Sequence, residues 1–121
     1  MTDEPEKTSS SLDGSEVPHE EWPSWCEQAT ADHHGREVRL RQADQALGEV
    51  SLAAGQKLVS IVHDALGSTE ALTIKCGSSA IPVSYVVAQP QAIRQQRNHS
   101  GELESFSIID STGRTTFVGF A

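Results

Sequence analysis

Residues 57–76, KLVSIVHDALGSTEALTIKC, decide the fold of this chain. Leu58, Val59, Ile61 and Val62 make Lys57 to Asp64 β-branched and apolar enough for a well-buried strand. Gly67-Ser68-Thr69 turns the chain back into a second run, Leu72-Thr73-Ile74-Lys75-Cys76. Two such runs joined by a short turn read as a β-hairpin. Downstream, Gly77-Ser78-Ser79 makes another turn before Ile81 to Ala88, and Pro82 places that strand at a start or an edge, because proline cannot donate to a ladder. Gln89-Pro90 interrupts, Gln91 to Arg97 forms a short strand, and Leu103 to Ile109 alternates Phe106 and Ile108 against Ser105 and Ser107. Asp110-Ser111-Thr112-Gly113 then turns into Arg114 to Phe120, a C-terminal hairpin whose three phenylalanines, Phe106, Phe117 and Phe120, are expected in the core.

Upstream, Arg36 to Arg41 alternates Val38 and Leu40 with charged neighbours, the pattern of a strand with one solvated face. Gln42 to Gln56 is mixed: Ala43, Ala46, Leu47 and Val50 fit a helical turn or two, yet Gly48 and Gly55 break it. Before that strand, Trp22, Trp25, Cys26, Ala29 and His33 share one helical face within residues 19–34. Glu20 and Glu21 suit the first turn, Pro23 sits where its missing N–H matters little, and Gly35 supplies the left-handed residue that closes the helix. The expected class is therefore α+β, mainly β: an antiparallel meander, roll or partly open barrel of about six strands, with one N-terminal amphipathic helix packed on it.

Composition divides the chain into residues 1–17, an acidic tail too polar to offset the entropy of ordering, and a single globular domain over residues 18–121. Of the formal net charge of −8, the first 21 residues hold seven acids against Lys7. The arginines at 36, 39, 41, 94, 97 and 114 are scattered along the chain, which argues against a phosphate-tracking surface and against nucleic acid as a partner. Two cysteines fifty residues apart, Cys26 and Cys76, suit a reducing cytoplasm, and no basic-then-apolar leader opens the sequence. Residues 76–93 carry no charge, but their serines, glutamines and prolines exclude a membrane span. An uncharged stretch of that kind offers an edge strand for homodimerisation or for a protein partner.

His19-Glu20-Glu21-Trp22, His33-His34-Gly35-Arg36 leading into Val38-Arg39-Leu40, then Leu47-Gly48, Leu72-Thr73-Ile74 and Thr112-Gly113 before Phe120 resemble a family of short bacterial proteins that is a domain of unknown function. The resemblance covers about residues 17–120 and implies one domain and a bacterial source. It brings no activity, cofactor or metal.

Candidate chemistry is sparse. Cys26 and His33, with Asp32 and His34 beside them, lie seven apart on the helix, whereas helical metal ligands sit three or four apart. His63 and Asp64 are adjacent on a strand and so face opposite sides, and no nucleophile elbow accompanies Ser60. Trp22 and Trp25 are at the spacing of a docking stripe rather than a ligand platform. No cofactor, metal or catalytic residue is assigned. Cys26, His33, His63 and Tyr85 remain as a candidate pocket between helix and sheet for a small enzyme or ligand carrier. The leading reading is a non-catalytic domain that self-associates or binds a protein.

Overall fold

A computed structural model describes residues 15–44, 46, 48–67, 69–78 and 80–120. In chain order these form β1 (Ser15–Glu16), a 3-10 turn (His19–Glu21), α1 (Trp22–His33), β2 (Glu37–Asp44), β3 (Gly48–Leu66), β4 (Thr69–Gly77), β5 (Pro82–Ala88), β6 (Pro90–Arg97), β7 (Leu103–Asp110) and β8 (Thr115–Phe120). The described strands make one open antiparallel sheet in the order β1-β6-β7-β8-β2-β3-β4-β5.

The sheet bends along β3, whose 19 residues pair first with β2 and then with β4. Register skips at Leu52, Gly55 and Val59 show how. Each inserts an unpaired residue, which bends the strand and increases its twist, and Gly55 at φ +77° takes the left-handed conformation such a bulge favours. This corrects two expectations. Gly55 kinks a strand rather than breaking a helix, and Gln42 to Gln56 is the β2–β3 hairpin, although Leu47 lies outside the described residues. Among the described residues the sheet accordingly has eight strands, not about six. One of the extra strands, β1, comes from residues assigned by composition to the tail: Ser15 and Glu16 pair with Gln95 and Arg94, and Val17 is buried. A boundary at 17 therefore cuts through structure, while residues 1–14 lie outside the described part. The hairpin of β3 and β4, the C-terminal hairpin, and Pro82 opening β5 stand as expected, with Ser68 and Ser79 of their turns outside the described residues.

The helix fills the corner that the bend opens. Where β3 leaves β2, its free edge is capped by α1: the Thr30 hydroxyl accepts the Ile61 N–H at 2.9 Å and donates to the Ile61 carbonyl at 3.2 Å. Just beyond, Gly35 donates to the Leu58 carbonyl and the Leu58 N–H to the Arg36 carbonyl. Gly35 has φ +88°, the conformation expected of a helix stop.

Trp22, Trp25, Cys26, Ala29 and His33 form the buried face of α1. Buried indole N–H groups need acceptors. Trp22 donates to the Val17 carbonyl at 3.0 Å and Trp25 to Gln95 Oε1 at 2.9 Å, which ties the helix to the residue just after β1 and to β6. Leu40, Leu58, Leu72, Ile74, Ile93 and Ile108 complete the core. Phe106 belongs to it and Phe120 packs against it, but Phe117 does not. Strand parity decides this: Thr116 and Val118 face in, so Phe117 faces out, against the side of Arg41.

Candidate functional site

The structure distributes the four candidate pocket residues among different neighbours. Cys26 is buried in the core, where burial and then the charge of Glu27 push its thiol up to about 12. His33 stacks on Phe120 with ring centroids 4.1 Å apart, and the Arg36 guanidinium lies 3.0 Å from its Nδ1. Burial, followed by the Arg36 charge, lowers its pKa, overriding the upward pull of Asp32 and Glu102.

His63 points inward at the end of β3, with its Nε2 2.7 Å from Glu70 Oε2. His19 Nε2 reaches the same oxygen at 2.8 Å. Trp22 lies edge-on to both rings, at 4.5 Å from His19 and 6.0 Å from His63. Burial alone would raise the pKa of Glu70, but the hydrogen bonds from His63 and His19 outweigh it and lower it. By sequence, Asp64 and Ser60 are the candidate partners of His63. The partner is Glu70, because the hairpin register sets His63 opposite Leu72 and Ala65 opposite Glu70, which makes His63 and Glu70 diagonal neighbours on one face. This cluster clamps the turn before α1 to the β3–β4 hairpin.

Tyr85 donates to the Leu52 carbonyl at 3.3 Å and thereby pins β5 across the bend. β5 lies at an edge of the sheet. It ends the described sheet order, and the backbone groups on its side away from β4 have no backbone partner among the described residues between Pro82 and Ala88. Its start is set by Gly77 at φ +110°, where an added Cβ would lie 3.3 Å from the Ile81 carbonyl oxygen. Ser78 Oγ accepts the Ile81 N–H. Its end is set by Gln89, a non-glycine residue at φ +52°, whose N–H donates to the Glu70 carbonyl and whose carbonyl accepts from Ser111.

Apolar surface is concentrated along this edge. Ile81 is 77% exposed, Val86 60% and Val83 44%. Val83 is informative because it pairs with Cys76, which is fully buried, and so lies on the core side of the sheet. Val83 itself is left uncovered at this edge, while Cys76 and Val87 beside it on that face are buried. Parity accounts for Val86: Val87 is buried, so its neighbour on the strand faces out.

Among the described residues no helix is long and apolar enough to cross a membrane. No curated protein and no solved structure matches the chain. Residues 14–121 match a family of unknown function (DUF5335), which takes in β1 as well as the rest of the sheet, and the chain belongs to that family.

Proposed function

We propose that this is a non-catalytic domain that self-associates by strand addition, its β5 pairing antiparallel with β5 of a second copy. The sheet then reads as a partly open roll, with α1 plugging one corner and β5 left as the seam. The observation that carries the proposal is Val83, which lies on the core side and is nonetheless 44% exposed at an edge with unpartnered backbone. A strand laid along β5 would supply the missing ladder and cover Val83.

The second copy is favoured as the occupant by charge. No charged side chain lies between residues 76 and 93, while the chain carries a formal −8 elsewhere. Two β5 edges meet without placing like charges opposite one another, and an antiparallel pairing of identical strands is two-fold symmetric, as most homodimers are. Natural edge strands commonly carry a lysine or an inward charge that prevents such pairing, and β5 has neither. A seven-residue strand with its apolar flank falls below the roughly 800 Å² per partner of a standard interface, so the association is weak and concentration-dependent. Free buried Cys26 and Cys76 suit the bacterial cytoplasm expected from the resemblance. The alternative, a small enzyme or carrier working from Cys26, His33, His63 and Tyr85, has less support, since the four contact different neighbours.

Light scattering coupled to size exclusion, run over a wide concentration range, tests this. The expected result is a monomer that passes to a dimer as concentration rises, with the Val86→Lys variant held monomeric at an unchanged melting temperature. A strict monomer at every concentration, or a dimer that Val86→Lys and Ser84→Pro leave intact, overturns it.

A further inference from the structure

The solvent face of β2, β8, β7 and β6 gathers arginines that are far apart in sequence. Register sets Arg41 beside Phe117, Phe117 beside Ser107 and Ser107 beside Arg94, one row across four strands. The next row on that face is Arg39, Gly119, Ser105 and Gln96. Residues paired directly across strands share a face, so two arginines rise from the β2 wall and one from the β6 wall. Three strand spacings separate those walls, about 14 Å. The floor between them is the Phe117 ring with Gly119, Ser105 and Ser107, and over it lies a groove of about 450 Å³ lined by all three arginines. That volume lies within the roughly 300–1,000 Å³ of small-molecule sites.

The arginines are not equivalent. Arg41 is held in place, its guanidinium 4.6 Å from the Phe117 ring centroid and ion-paired with Glu49. Arg39 and Arg94 have no ion pair and no side-chain hydrogen bond among the described residues, even though Glu16 lies opposite Arg94 across the β1–β6 pair. Two uncommitted guanidiniums thus face each other across a floor of mixed polar and apolar character on a domain that is otherwise acidic. Guanidinium presents a planar fork of donors that matches carboxylate and phosphate oxygens. The Ser107 hydroxyl between the walls adds a donor for the middle of a ligand, while the Ser105 hydroxyl donates to Gln96 Oε1 at 3.4 Å.

We propose that this groove binds a small organic dianion, one carrying phosphate or carboxylate groups that engage Arg39 on one wall and Arg94 on the other, with Arg41 fixed over Phe117 as the third positive group. The groove is bounded and holds three arginines, too few to track a polyanion, and the net charge of −8 repels one. This site is on the opposite side of the sheet from the core and does not involve β5, so it stands independently of self-association.

Backbone-amide NMR titration of the full chain with pyrophosphate, and separately with succinate, tests the assignment at low and high salt. Saturable shifts confined to Arg39, Arg94, Ser105, Ser107 and Gly119, weakened about tenfold or more in the Arg39→Gln/Arg94→Gln double variant, are expected. Preference for one probe identifies phosphate or carboxylate as the recognised group. Because both arginines are exposed, the double variant should melt at the same temperature, which separates lost binding from lost fold. No saturable shift with either probe, shifts unchanged in the double variant, or a single-stranded oligonucleotide that outcompetes both small anions at this face overturns the proposal.

Discussion

Thr30 on the helix replaces a missing strand for Ile61. Its hydroxyl accepts the Ile61 N–H at 2.9 Å and donates to the Ile61 carbonyl at 3.2 Å, closing both backbone groups at the place where β2 no longer covers β3. A half-buried N–H and C=O left unmatched are costly, so the side chain stabilises the bend itself. Thr30→Val keeps the shape and removes both bonds. A loss of about 1–3 kcal/mol in urea unfolding is expected, with Thr30→Ser close to wild type. Equal stability of all three proteins would show that the edge is satisfied by water instead.

Acid stability should report Glu70. Its folded pKa is depressed, so the carboxylate contributes stability that is present above its unfolded value of about 4.3 and lost as pH falls through the folded value. Urea midpoints measured down to strongly acidic pH should fall in that window for the wild type. In Glu70→Gln the drop should be shallower, with lower stability at neutral pH because the anionic anchor for His63 and His19 is gone.

His33 adds a separate, milder dependence. Its folded pKa is also depressed, so its contribution is present above the unfolded value of about 6.5 and lost as pH falls through the folded value. The groups facing it are Arg36 and Arg97, which oppose protonation, and Asp32 and Glu102, which favour it. NMR of the His33 ring should titrate below the range of an exposed histidine, and Arg36→Gln should move that titration upward.

The two thiols should be inert in the native state. Burial, with Glu27 adding to it, raises Cys26 to about 12, and burial raises Cys76 to about 11, so neither forms appreciable thiolate at neutral pH. Reaction with a disulfide reagent should follow global unfolding, reaching two thiols per chain only in denaturant. Fast native reaction of Cys26 would point to a nucleophilic role for it.

Gly77 controls the entry to the exposed edge. With φ +110° and an added Cβ in tight contact, 3.3 Å from the Ile81 carbonyl oxygen, Gly77→Ala should destabilise by about 1–3 kcal/mol. Hydrogen exchange in the variant should rise first at β5 and the facing residues of β4, since the turn that aligns them is strained.

Much of this architecture follows from local pattern. The period of Trp22, Trp25, Cys26, Ala29 and His33 defines a docking helix, Gly35 ends it, and alternation marks β2, β7 and β8, because side-chain direction along an element is set by backbone geometry alone. The same rule applied to Thr116-Phe117-Val118 would have placed Phe117 outside, where the count of phenylalanines suggested otherwise. Other features depend on pairing. Gly48 and Gly55 look alike in sequence, yet one ends a turn and the other sits in a bulge, since only the partner strand defines which residue is skipped. His63 finds Glu70 rather than Asp64 through hairpin register, and β1 becomes a strand because β6 offers it an edge.

The sequence by itself determined the mainly β class, the helix with its buried face, and an uncharged segment suited to a sheet edge, since these rest on periodicity and on charge. Only the tertiary structure decided that β5 is one end of the sheet and that Arg39 and Arg94, fifty-five residues apart, line one groove. Strand order and register join residues that are distant in sequence, and no local pattern encodes either.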